Sequence, residues 1–147
     1  MSNETHVPVT TDADMVPARA RGREVATRLG FSRTDGTLIA TAISEVARNI
    51  LVHAGTGEIV IEPLYEEDRR GIRIAAKDSG PGIRDVEAAL RIGYASKNGL
   101  GLGLPGARRL MDELEIVSEP GNGTTVTMTK WRKLDELERL REEGTGG

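Results

Sequence analysis

Asp78-Ser79-Gly80-Pro81-Gly82, a spacer, and then Gly99-Leu100-Gly101-Leu102-Gly103-Leu104-Pro105-Gly106 form the stretch on which the reading of this chain turns. Immediately before it, Gly71-Ile72-Arg73-Ile74-Ala75-Ala76-Lys77 alternates as a strand does, which puts Asp78 at a strand end. The turn at Gly80-Pro81-Gly82 then presents one carboxylate to whatever lies beyond the strand. The second glycine group leaves backbone N–H groups uncovered just before a helix expected from near Leu100 to Asp112. A helix start of that kind is an anion site, because its first N–H groups have no partner inside the helix and the macrodipole is positive there. One carboxylate and one anion site on a connected stretch point to a nucleotide.

Upstream of the strand, residues 58–65 alternate as its hairpin partner across the charged turn Glu66-Glu67-Asp68-Arg69-Arg70-Gly71. The chain begins with a short edge strand over residues 5–10, since Pro8 suits an edge better than an interior ladder. Asp14 is placed to cap a helix to about Leu29, with Val16, Ala20, Val25 and Leu29 as a thin apolar stripe and Gly30 as the stop. Its arginines, Arg19, Arg21, Arg23 and Arg28, are a solvated face or a docking surface. A stronger helix is expected over residues 33–53, where Leu38, Ile39, Ala42, Ile43, Val46 and Ile50 recur at the helical period. Glu45 and Asn49 are four apart beside that stripe, and polar groups at the margin of a buried face need partners.

Downstream, a short helix is expected over residues 85–92 and an irregular polar loop over residues 94–98. Strands over residues 115–118 and 124–131 are joined through Pro120-Gly121-Asn122-Gly123. Two hairpins and three helices fit an α/β (α+β) two-layer sandwich, one layer of helices on a mostly antiparallel sheet. Residues 1–131 read as one domain and residues 132–147 as a charged helical tail, with residues 144–147 expected to be disordered. Leu134, Leu137 and Leu140 share one side of that tail and either pack back on the domain or meet a partner.

Composition narrows the function classes. The 147 residues carry 20 Lys and Arg against 23 Asp and Glu, and aromatic residues make up 3%, a poor fit to a nucleic-acid face or base-stacking platform. With no cysteine, disulfides, thiolate-bound zinc and thiol nucleophiles are excluded, and two histidines are too few for a histidine-built metal centre. No long apolar run or signal-peptide pattern is present, so a cytoplasmic protein with no membrane partner is expected.

Several nucleotide folds compete for the glycines. The absence of Gly-Lys-Ser/Thr excludes a P-loop, and the absence of H-R-D and D-F-G segments excludes a eukaryotic-type protein kinase. Residues 101–106 satisfy G-x-G-x-x-G, but they follow a polar loop rather than a strand of a parallel βαβ unit, which weighs against a dinucleotide-binding oxidoreductase.

Taken in order, Glu45-x-x-x-Asn49, Asp78-x-Gly80-x-Gly82, Gly99-x-Gly101-x-Gly103 and Gly123-Thr124 resemble the boxes of the GHKL ATPase superfamily, whose members share the Bergerat ATP-binding fold. The resemblance covers residues 5–131. Ile43-Ser44-Glu45-Val46-Ala47-Arg48-Asn49-Ile50, the run of residues 99–106 and Arg109-Leu110-Met111-Asp112-Glu113 are similar to the small serine/threonine kinases of bacterial partner switching, of the RsbT (stressosome switch kinase) type.

That resemblance implies a kinase using ATP and Mg²⁺. It would phosphorylate a STAS-domain protein and, once released from it, bind and activate a PP2C-type phosphatase. An anti-sigma-factor kinase of the same superfamily and a non-catalytic ATP-gated binding module are the alternatives. A detached histidine kinase catalytic domain fits less well, for lack of an upstream histidine-bearing dimerisation helix.

The resemblance also implies a role for each matched position. Glu45 takes the proton of the nucleophile, Asn49 ligates Mg²⁺, and Asp78 accepts from the adenine amine. Gly80 and Gly82 approach the base and Thr124 assists through water. Lys97, Gly99, Leu100, Gly101, Leu102 and Gly103 cover the phosphates, and Lys97 reads equally well as a solvated loop lysine. Arg48, one turn from Glu45, touches the γ-phosphate, a partner protein or solvent, and no catalytic part is given to it.

Overall fold

The structure, a computed structural model, describes residues 3–82 and 103–145. Strand β1 (Thr5–Val9) leads through a single 3-10 turn into helix α1 (Met15–Arg28), followed by α2 (Arg33–His53). Strands β2 (Gly57–Tyr65) and β3 (Arg69–Asp78) follow, then α3 (Gly103–Leu110), β4 (Glu113–Ser118), β5 (Thr124–Lys133) and α4 (Glu136–Thr145). The helix expected over residues 85–92, the loop at residues 94–98 and the start of the helix near Leu100 lie outside the described residues.

The five strands run in the order β1-β2-β3-β5-β4, and every pairing among them is antiparallel. Pro8 does sit on an edge strand, and both expected hairpins form. The hairpin strands run longer than the sequence reading placed them: β3 begins at Arg69, inside the expected turn, and β5 continues to Lys133. Pairing across the ladder explains the gain, since Arg69 faces Lys133 and Arg70 faces Arg132, where backbone partners matter more than side-chain polarity.

Alternation along the strands separates two faces. Val7, Val9, Ile59, Ile61, Ile72, Ile74, Ala76, Val126 and Met128 point to one core, which α1, α2 and α3 cover. The other face carries mainly charged and threonine side chains, with Val60 and Thr129 buried among them. On that face Gly71 lies under the Trp131 ring, where a Cβ would collide with it. The Arg69 guanidinium sits 3.6 Å from the centre of the same ring, and the indole N–H donates to Glu113 at 2.7 Å.

Helix α2 is the central buried element. Ser32 caps it by accepting from the Asp35 N–H at 3.1 Å, and Ile39, Ile43, Val46 and Ile50 are fully enclosed. Burial of each such side chain stabilises by roughly 1.5–3 kcal/mol. Helix α1 packs differently from expectation. Val16 is 60% exposed and Ala20 is also exposed, while Met15, Ala18, Gly22, Val25 and Ala26 are buried. The contact face is made of small residues: Gly22 lies where a Cβ would run into the Ile43 side chain, so lack of bulk sets the approach of the two helices. Arginines of α1 are partly tied down, with Arg21 and Arg28 on Glu24 and Arg19 donating to Ser44 at 3.3 Å.

The tail leucines divide. Leu134 is buried ahead of α4, whereas Leu137 and Leu140 are each 59% exposed. The α4 backbone includes Gly144 and Thr145, two residues further than the expected end of order. Among the described residues no helix is long and apolar enough to cross a membrane.

Candidate active site

Asp78 ends β3 in phase with Ile72, Ile74 and Ala76, so its side chain points to the helix side of the sheet. Its Oδ1 accepts the Gly80 N–H at 2.9 Å and the Thr124 N–H at 3.3 Å. No described residue hydrogen-bonds Oδ2, which leaves that oxygen for an outside donor. Two glycines in the left-handed region build the wall around it. Gly82 (φ +80°) lies against the Glu119 carbonyl, and Gly123 (φ +87°) lies against the Asp78 carbonyl, so a side chain at either would meet backbone. The Gly121 N–H donates to the Pro81 carbonyl at 2.6 Å and fixes the β4–β5 turn to the loop after β3.

Thr124 is 5% exposed, and its hydroxyl is 2.8 Å from that of Ser118. Ser118 was not among the expected site residues. The signal was present: Ser118 and Thr124 flank the Pro120-Gly121-Asn122-Gly123 turn and face each other in register. A recess of about 400 Å³ opens beside Asp78, lined by Ala54, Thr56, Gly57, Glu58, Lys77 and Ser79 among others. Glu58 and Lys77 belong to the face of the sheet away from the helices, whereas Ala54 ends α2, so the recess lies at the strand end between the two sides.

Glu45 and Asn49 stand one turn apart on α2, with 5% and 2% of their surface exposed. Gly57 brings α2 and Asp78 together, since a Cβ there would lie 2.8 Å from Ile50 and 3.2 Å from the Asp78 Cβ. The Glu45 carboxylate accepts on both oxygens, from the Arg48 Nη1 at 3.2 Å and from the Gly103 backbone N–H at 2.6 Å. Gly103 (φ +67°) opens α3 and is buried. Its N–H, expected to face phosphate, is donated to Glu45 in this structure.

Among the described residues nothing hydrogen-bonds Asn49 Oδ1, although it is buried. A buried amide oxygen without a donor loses about 1–3 kcal/mol of solvation, so its retention fits a hard cation ligand supplied from outside. Among the described residues no cluster of three or more His, Asp or Glu could hold a metal by itself. Lys97, Gly99, Leu100, Gly101 and Leu102 lie outside the described residues. Of the expected positions, the structure thus gathers Glu45, Asn49 and Gly103 at one place, with Asp78, Gly80, Gly82 and Thr124 at the neighbouring strand end.

Comparison with known proteins agrees with this geometry. The family described as Histidine kinase-like ATPase domain matches residues 8–130. The chain is 45% identical over 131 residues to serine/threonine-protein kinase RsbT of Bacillus subtilis (strain 168), covering 89% of this chain and 98% of that one. It is 33% identical over 120 residues to an anti-sigma F factor of Oceanobacillus iheyensis, covering 77% of this chain and 81% of that one. An anti-sigma F factor of Caldanaerobacter subterraneus subsp. tengcongensis is 37% identical over 99 residues, 63% of this chain and 68% of its own. The chain belongs to the histidine kinase-like ATPase domain family, the GHKL superfamily.

Proposed function

We propose that this protein is an ATP- and Mg²⁺-dependent protein-serine/threonine kinase of a bacterial partner-switching pathway. The observation that carries the reading is the pair on α2, a buried carboxylate and a buried amide oxygen with no partner among the described residues, one turn apart beside the start of α3. The 45% identity to a serine/threonine-protein kinase over nearly the whole of that protein supports it.

In this reading Asp78 Oδ2 accepts the exocyclic amine of adenine, where guanine would present a carbonyl. Gly82 and Gly123 let backbone approach the base. Asn49 Oδ1 supplies a neutral ligand to Mg²⁺, which when bound neutralises the phosphates. Glu45 accepts the proton of a serine or threonine hydroxyl as the hydroxyl oxygen bonds to the γ-phosphorus and ADP leaves. Lys97 and the glycine run from Gly99 to Gly103 cover the phosphates.

The resemblance to RsbT-type kinases supplies the proposed partners, a STAS-domain protein as substrate and antagonist and a PP2C-type phosphatase activated after release, in the cytoplasm. The kinase domain read over residues 1–131 runs on through the end of β5 at Lys133, and the remainder to residue 147 is an appended tail. The anti-sigma F factors among the relatives favour a second reading, an anti-sigma-factor kinase on the same fold.

The test is label transfer from γ-labelled ATP to candidate STAS-domain proteins of the same genome, with mass spectrometry to locate the phosphate. Transfer should fall by about 10²–10⁴-fold in Glu45→Ala, with the melting temperature held. Transfer unchanged in that variant would remove Glu45 from the role of base. Capture of a sigma factor with no STAS phosphorylation would favour the second reading.

A further inference from the structure

Arg48 has no part in the mechanism above, yet it is the side chain that grips the proposed base. The Glu45 carboxylate is held at its two oxygens by donors from two elements, the Arg48 guanidinium on Oε1 and the Gly103 N–H on Oε2. The last torsion of a glutamate side chain is soft. With Gly103 alone, the carboxylate would still swing about that one hydrogen bond. A second donor on the other oxygen fixes its plane, and proton transfer depends on where the lone pairs point. Arg48 sits three residues along the same helix, so its hold on Glu45 does not depend on nucleotide or partner. Its side chain is 25% exposed and that of Glu45 7%, which places the pair at the wall of the site rather than on open surface.

We infer that Arg48 is the positioning residue for Glu45. It orients the carboxylate toward the incoming hydroxyl and does not itself touch the reacting atoms. The inference rests on Glu45 being the base.

The test is a double-mutant cycle on phosphoryl transfer to the acceptor protein, with Arg48→Ala, Arg48→Lys and Glu45→Ala, beside Mg-ATP affinity and thermal melts of each variant. Arg48→Ala is expected to lower kcat by about 10–100-fold, the scale of a misplaced catalytic group, with KM for ATP changed less than about twofold. Arg48→Lys should recover much of the loss, since an ammonium reaches one oxygen. In the Glu45→Ala background, Arg48→Ala should add nearly nothing, because a residue acting through another has no separate effect.

Losses that multiply across the two sites would overturn the inference and place Arg48 on the phosphate or the acceptor. A raised KM with kcat unchanged would do so too, as would loss of kcat that simply follows loss of folded protein at the assay temperature. If Glu45→Ala transfers normally, the reading of the base fails and this inference falls with it. If Glu45→Ala is inactive while Arg48→Ala is unimpaired, only the inference about Arg48 falls.

Discussion

Strands β3 and β5 carry a polar cluster at each end, about 30 Å apart for ten residues of strand, and the two clusters are finished differently. At the Arg69 end, hydrogen bonding is closed. Arg132 donates from Nε to the Leu29 carbonyl at 2.7 Å, which caps the end of α1, and its Nη atoms hold Glu138 of α4. The Leu134 N–H reaches the Asp68 carbonyl at 2.9 Å, and Asp112 takes the Trp131 N–H at 2.7 Å. At the Asp78 end, two acceptors keep capacity, Asp78 Oδ2 and the buried Asn49 Oδ1. The first end ties helices to sheet. The second holds polar atoms that no described residue matches, as the proposed nucleotide site requires.

The sharpest way to break this contrast is Asn49→Leu. The variant exchanges the amide for an apolar fork of the same branching, so the gain from removing the buried oxygen offsets the cost of the added bulk and the melting temperature of the ligand-free protein should hold. Thermal stabilisation by Mg-ATP, expected in the parent at saturating nucleotide, should disappear. A fall in ligand-free stability by several degrees would show that Asn49 is matched after all and that the two ends are alike.

A middle-sized effect is expected for Gly123→Ala. At φ +87° the added methyl meets the Asp78 carbonyl, and backbone has no rotamer with which to yield. Destabilisation of about 1–3 kcal/mol, with weaker adenine binding by calorimetry, would sharpen the view that the strand end is shaped for a base. Normal stability and affinity would argue against it.

The smallest effect belongs to the closed end. The Arg132 hydrogen bond, helped by the Asp135 N–H, draws the Glu138 carboxyl down to about 2 from its ordinary 4.5. Because the folded value is the lower one, the stability this group contributes is complete above 4.5 and is lost as pH falls from 4.5 toward about 2. The gap in melting temperature between the parent and Glu138→Gln should therefore narrow across that window, with kcat at neutral pH unaffected. A constant gap would mean that Glu138 is not held by charge. Any change in kcat would couple the two ends.

Much of this was legible in the residues. Helix α2 was read to its ends over residues 33–53 from a strong apolar period. The hairpins followed from alternation broken by turn residues. Helix α1 was read correctly at Val25 and Leu29 but not at Val16 and Ala20, since Val16 has the bulk that sequence patterns reward while the contact in that half uses Ala18 and Gly22. A close helix approach rewards missing bulk, and nothing in one helix shows how near its neighbour lies.

The sequence by itself determined which chemical groups the site owns and in what order, because the glycine runs, Asp78 and the Glu45–Asn49 spacing are local patterns with local physical causes. Only the tertiary structure decided how those groups are paired. Gly103, 58 residues from Glu45, donates to its carboxylate, Arg48 takes the other oxygen, and no described residue donates to Asn49 Oδ1. Hydrogen-bond partners are set by distance in the folded chain, and that distance exists only after α2, α3 and the sheet have packed.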